Sequence, residues 1–287
     1  MRRMPIPYCV IISMSNRSRS NRVSSRRFSG GRFVGPSLGA TGILLFLALW
    51  EAVPRLGLVQ ERFLPPASKV LLTLIDYFGQ GEFWNDVGET MLAWSIGLGV
   101  SIIAAVVLGL VIGSSSFLSK TTYTTVEFLR PIPSVALIPL AVLLFGVKIE
   151  SSLFLVIYAS FWQVLLQVLY GVTDVDPVAD NTARSYRLGP IARARYVVWP
   201  TVLPYLMTGI RLASAVALIL AITAELVIGS PGLGYQIALT QAGGAVPEMY
   251  ALIVATGMIG ILINFGMRLL EKKLLAWHSS VRSEVVA

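Results

Sequence analysis

One cysteine and one histidine are all that this 287-residue chain has of two strong metal ligands. Cys9 has no partner for a disulfide within the chain. With His278 alone near the other end, neither a cysteine nor a histidine metal centre can be assembled, so no metal and no cofactor is expected. Charge is scarce as well, since 13% of residues are charged against 55% apolar, and the mean hydropathy is +0.73. That balance excludes an ordinary soluble domain and points to a polytopic membrane protein. Acids are missing altogether before Glu51, a stretch that holds Arg2, Arg3, Arg17, Arg19, Arg22, Arg26, Arg27 and Arg32. Those eight account for the whole net charge of +8, because the other 15 basic residues balance the 15 acids. Beside a membrane body such a tail orients the first span and touches anionic lipid, and no nucleic-acid partner is expected.

Energy-converting and catalytic motifs are absent too. The loop that cradles nucleotide phosphates needs glycine just before Lys-Ser/Thr, whereas Gly113–Thr121 carries Leu118 and Ser119 ahead of Lys120-Thr121. There is no Ser/His/Asp set, no zinc spacing and no carboxylate pair placed for proton transfer, so no catalytic residue is assigned and the chain by itself is not expected to be an enzyme.

What is present is a series of long apolar runs. A hydrocarbon core of roughly 30 Å needs about 20 helical residues. Met91–Gly113, Ser151–Thr173 and Met249–Met267 qualify without a single charge, and Pro36–Pro54 is a shorter first span with Glu51 near its end. Phe117–Val147 holds Glu127 and Arg130, and Thr201–Ile228 holds Arg211 and Glu225. The expected fold is therefore an all-α membrane protein of six transmembrane helices. Residues 1–35 read as a disordered basic tail, because the short apolar run Ile6–Met14 leads into more arginines rather than a cleavage site. Residues 36–275 form the transmembrane domain and 276–287 a C-terminal tail. With the arginine tail inside, the arginine-bearing segment 174–200 also falls inside, 229–248 falls outside without a lysine or arginine, and both termini are cytoplasmic. No internal repeat is visible.

The polar segment 174–200 stands out between the spans. Asp176 can cap a helix that starts at Pro177, with Asp180 near its positive end, and the pattern predicts a helix over about Val178–Leu188. Gly189 is expected to end it in a left-handed conformation. Pro190 then starts a second short helix in which Ile191, Ala194 and Val198 share a face against Arg193 and Arg195. The segment could be an interfacial hairpin or a rigid lever for a partner, and the fixed corner favours the lever.

This segment resembles the EAA loop of ABC importer permeases. Counting back from Trp199-Pro200, the Glu-Ala-Ala positions fall on Asn181-Thr182-Ala183 and the glycine position on Arg187, so three of the four depart from the pattern and a glycine follows two residues late. Phe63–Lys69, Leu129–Leu140 with Phe145-Gly146, Leu203–Ala213 and Ala224–Tyr235 are similar to the nitrate, sulfonate and taurine type permeases, and together the likeness covers roughly residues 40–275. The resemblance implies a type I importer in the bacterial cytoplasmic (inner) membrane. Its implied partners are a cytoplasmic ABC ATPase, an extracytoplasmic solute-binding protein and a second permease subunit, a homodimer being favoured. It further implies ATPase coupling through Asn181, Thr182, Ala183, Arg184, Tyr186, Arg187, Gly189, Arg193 and Arg195, where each arginine could equally serve only to satisfy the positive-inside rule.

Pro131, Pro133 and Pro139 interrupt the third span, and irregular backbone at membrane depth belongs beside a cavity. Arg130 stands about 15 Å from Lys120 along a helix, and Glu225 about 21 Å from Arg211. Buried charges need a partner or water. Glu127, Arg130, Arg211 and Glu225 sum to zero, so they can pair among themselves or meet a charged solute. Arg130, Pro131, Pro133 and Glu225 are the candidates for the translocation path. Gly109 with Gly113, and Gly97 with Gly99, permit close helix contact.

The expected activity is that of the permease subunit of an ATP-driven importer, moving a small anion such as a sulfonate, taurine or nitrate inward by alternating access. The nature of the cargo is supplied by the resemblance. A thiamine-precursor pyrimidine or another small polar nutrient is the alternative cargo. An ion-coupled secondary transporter or a membrane scaffold would be different classes of protein.

Overall fold

The computed structural model describes residues 34–277, and the expectations for residues 1–33 and 278–287 lie outside the described residues. The described residues divide into two units, one up to Phe46 and one from Leu47 on. The described part of the first is the start of helix α1 (Val34–Arg55), which ends in the second unit.

The second unit continues with α2 (Ala67–Phe78), α3 (Gly81–Ser114), α4 (Ser116–Leu129), α5 (Ile138–Phe145) and α6 (Ile149–Thr173). It then runs through α7 (Pro177–Ser185), α8 (Pro190–Arg193), α9 (Trp199–Ile228), α10 (Leu233–Ala242) and α11 (Val246–Leu274). The protein is all-α, with no strand among the described residues. Five helical segments are long and apolar enough to cross a membrane, and α4 with the 134–145 stretch makes a sixth that bends by 80°. The first turns of α3 begin ten residues before the apolar window at Met91 and carry Glu82, Asp86 and Glu89. At 34 residues, or about 51 Å, α3 is longer than a hydrocarbon core, so polar residues can continue the helix past it.

The core forms where α6 packs against both α3 and α9. Every fourth residue of one face of α3 is small, in the order Gly97, Ser101, Ala105, Gly109, Gly113, and a ridge of valines on α6 lies in the resulting groove. A Cβ at Gly97 would sit 2.5 Å from Val156 Cγ1, and at Gly109 and Gly113 it would sit 2.6 Å from Val168 and Val172. Gly99, in contrast, faces open space. Across the other face of α6, Gly171 lies against the backbone of Val202, where a Cβ would come within 2.9 Å of the Val202 Cα. Small residues bring helices close where apolar burial alone cannot drive association.

A second cluster joins α2, the start of α3, α10 and α11 through Val70, Leu74, Phe83, Leu233, Ile237 and Leu252. Trp50 Nε1 donates to Pro65 O (3.1 Å) and the Tyr250 hydroxyl to Phe63 O (3.0 Å), fixing the linker ahead of α2. Burial raises the pKa of the Tyr77 hydroxyl in this layer, and the Glu248 and Asp86 charges add to the shift.

The third span breaks where the prolines predict. Pro131 and Pro133 cannot donate, the chain passes through a 3₁₀ turn at Ser134–Leu137, and Pro139 opens α5 at a position that needs no donor. The carbonyl of Leu129 accepts instead from Ile132 N (3.2 Å) and from the Tyr158 hydroxyl of α6 (2.9 Å). This satisfies backbone that a helix would otherwise have bonded.

Candidate functional site

The polar segment grows from a clamped stem. Gly171 meets Val202, and three residues on, the Tyr205 hydroxyl donates to Asp174 Oδ2 (2.7 Å), so the end of α6 and the start of α9 are held together at the point where the segment leaves the bundle. Asp176 then caps α7, its Oδ1 accepting from Val178 N at 2.8 Å, with Pro177 in the first turn.

The helix stops at Ser185, three residues earlier than its pattern predicts, and the left-handed residue is Arg187 (φ 57°), not Gly189. Leu188 N donates to Ala183 O (3.0 Å) and Arg187 N to Arg184 O (2.8 Å), the two bonds of a Schellman ending with Arg187 where glycine is usual. Gly189 is extended (φ −62°, ψ 164°), because a residue before proline is driven away from helical and toward extended backbone. The corner therefore turns at Arg187, the position at which the permease pattern carries glycine.

The expected second helix is also different in kind. After one turn at Pro190–Arg193 the backbone widens into a π turn at Ala194–Val198 and continues without interruption into α9. Ile191, Ala194 and Val198 do line one depression of about 320 Å³, but Arg195 and Trp199 share it.

Asp180 holds the two arms. Its Oδ2 accepts from Arg184, with both contacts at 2.9 Å, and its Oδ1 lies 3.1 Å from Arg193 Nε across the corner. Arg184 and Arg193 are thereby tied within the segment. Ala183 is buried beneath, while Asn181 and Thr182 are exposed. The tip presents Tyr186 (80% exposed) and Ile191 (84%), with Arg187 between them and Arg195 over the Tyr196 ring at 5.9 Å. The pairing of Arg184 with Asp180, four residues apart, was legible as a helix pair in the sequence. The reach of Arg193 was not, because it depends on the angle of the corner.

A second arrangement lies beside the broken span. A cavity of about 510 Å³ opens between α4, α6 and the end of α3, and Glu127 and Arg130 are on its wall. Neither residue makes an ion pair among the described residues. Pro131 and Pro133 form the break just beyond Arg130.

The four charges of the spans do not pair with one another among the described residues. Arg211 binds Glu271 of α11 at 3.0 Å, a partner missed because it lies 60 residues away. Glu225 is 1% exposed. Its Oε2 accepts from the Thr90 hydroxyl and from Gly234 N, both at 2.9 Å, and Leu233 N donates in turn to Thr90 Oγ1 at 3.0 Å. The carboxylate thus joins α3, α9 and the first turn of α10, and it does not share the cavity of Arg130. Gly232 (φ 143°) leaves the space the carboxylate fills.

Residues 97–276 match the family described as "Binding-protein-dependent transport system inner membrane component". Among curated proteins, the chain is 28% identical over 251 residues to the taurine transport system permease protein TauC of Escherichia coli, spanning 86% of this chain and 90% of that one. It is 29% identical to a putative aliphatic sulfonates transport permease protein of Bacillus subtilis, over 83% of this chain and 88% of the relative. With the bicarbonate transport system permease protein of Synechocystis it shares 26% identity, over 80% and 86% of the two. Among solved structures, an inward-facing MetNI methionine ABC transporter superposes with a TM-score of 0.55 at 18% identity, covering 67% of this chain and 95% of that chain. An amino acid ABC transporter with histidines gives 0.56 at 16% identity, covering 71% and 96%. Those two likenesses establish the type I importer transmembrane fold. The chain belongs to the binding-protein-dependent transport system inner membrane component family, as a multi-pass permease of the ABC importer class.

Proposed function

We propose that this permease works in an ATP-driven importer. In this reading the 174–200 segment docks a separate cytoplasmic ABC ATPase, a solute-binding protein delivers cargo from the opposite side, and a second copy of the chain completes the pathway. Both termini are cytoplasmic, as the distribution of arginine and lysine requires. The cargo is a small oxyanion-bearing nutrient of the sulfonate, taurine or nitrate kind, and the names of the taurine and sulfonate relatives support the first two. Arg130, Pro131 and Pro133 belong to the translocation path, and Glu225 acts as a clasp that steadies it.

The observation that carries the reading is the bracing of the polar segment. It leaves the bundle from a clamped stem, and Asp180 braces its two arms. Its tip is an exposed set of two aromatic residues, one isoleucine and two arginines, the composition of a protein-docking hot spot. A braced protrusion transmits movement of a bound motor to α6 and α9, whereas a flexible hairpin would absorb it.

The reading is tested by co-expressing the chain with the ABC ATPase that supports its uptake and combining Tyr186→Ala with Arg187→Glu. Loss of hot-spot contacts on the order of 2 kcal/mol each should abolish co-purification of the ATPase and solute uptake while membrane insertion is unchanged. Undiminished co-purification and uptake would place the coupling surface elsewhere.

A further inference from the structure

We propose that the cavity beside the broken span is a cargo site for a small zwitterion, a molecule carrying an ammonium at one end and a sulfonate or carboxylate at the other. The inference deepens the proposed function and rests on it for the direction of transport.

Glu127 in the last turn of α4 and Arg130, the helical residue that caps its end, stand three residues apart, about 4.5 Å along the axis, and both line the same cavity without pairing to each other. Opposite charges at this spacing ordinarily attract. Here each is left to meet something else, and a charge within a membrane span requires a wet cavity or a ligand. The cavity volume of about 510 Å³ falls within the range of small-molecule sites.

The hydroxyls around it are of two kinds. Thr122 and Thr173 donate to backbone carbonyls (2.7 and 2.9 Å) and can only accept further, which suits an ammonium. Ser119, Tyr123 and Tyr170 also line the cavity and make no such bond among the described residues, so their hydroxyls are available to donate to an oxyanion. A simple anion would be attracted by Arg130 and repelled by Glu127 to a similar degree. A zwitterion satisfies both, so the pair discriminates by the presence of an amine rather than by the oxyanion alone.

The test uses the purified permease–ATPase complex without its binding protein, so that selectivity at the permease is read directly. A Cys9→Ser background carries Ser116→Cys, a wall position with no part in the proposed binding, and labelling by a water-soluble maleimide is followed with taurine or β-alanine as the zwitterion and ethanesulfonate or propionate as the matched anion. Both zwitterions should protect, with the anions needing roughly tenfold higher concentration, the scale of one charge-assisted hydrogen bond. Glu127→Gln should erase that preference, Glu127→Asp should keep it, and Arg130→Gln should remove protection by all four. Equal protection by zwitterion and anion with Glu127 intact, or protection by none, overturns the proposal. ATP-driven uptake by the complete transporter is measured in parallel. Uptake without discrimination sinks the cargo site alone, and absence of uptake in the presence of discriminating protection sinks the importer reading instead.

Discussion

Two parts of the same bundle, α6 and the α4 half of the broken span, stand at opposite ends of the burial scale. Eleven of the 25 residues of α6 are buried, and none of the 14 in α4 is. The first is an unbroken helix whose valines fill a groove of glycine, serine and alanine. The second is bent by prolines, lined with hydroxyls and carries an unpaired acid and base. The difference separates scaffold from the surface on which the proposed function places cargo. Where side chains are used up in packing, charge is excluded or clasped, as with Glu225. Where packing is withheld, charge faces a cavity. The polar segment 174–200 combines the two, with a stem packed like α6 and a tip exposed like α4.

The comparison is tested most severely at the stem. Gly171→Leu would drive a side chain into the Val202 backbone and part α6 from α9, at a cost of about 3 kcal/mol or more by the overpacking scale. The melting transition of the detergent-solubilised complex should collapse. An unaltered transition would mean the α6–α9 contact is not what holds the scaffold.

A smaller effect is expected at the clasp. Glu225→Ala leaves the Gly234 N–H and the Thr90 hydroxyl short of an acceptor, a loss of about 1–3 kcal/mol, while Glu225→Gln keeps an acceptor oxygen and should assemble normally. If the charge itself mattered, as it would in a pair with a buried arginine, Glu225→Gln would be about as damaging as Glu225→Ala, since both remove it. The melting midpoints of the two variants decide between these outcomes.

The corner of the polar segment gives the finest comparison. Arg187→Gly should stabilise it by about 1 kcal/mol, the strain of a left-handed residue with a side chain. Gly189→Ala should change stability by less than about 0.5 kcal/mol, because that residue is extended and nothing lies near its Cβ position. Limited proteolysis of the segment reads both. The reverse ranking would restore Gly189 as the corner.

Much of the fold was legible because its causes are local. Apolar runs of bilayer length set the spans, Pro131, Pro133 and Pro139 set the break, and Asp176-Pro177 set the start of α7, each from a property of one residue or one stretch. Gly97, Gly109 and Gly113 could likewise be read as points of close helix contact, although Gly99, read with them, faces open space and the helix they receive could not be named.

Tertiary structure alone decided the matters that depend on distance in space. Glu225 meets Thr90, which lies 135 residues before it, and Arg211 meets Glu271, so the zero sum of four span charges did not identify their partners. The left-handed residue moved from Gly189 to Arg187 because α7 ends where the Schellman bonds close, and those bonds outweigh the side-chain preference of a single arginine. Sequence by itself determined which segments enter the membrane, since transfer of each stretch from water depends on that stretch alone. Which charges are clasped and which face a cavity is a property of neighbours that only the folded chain brings together.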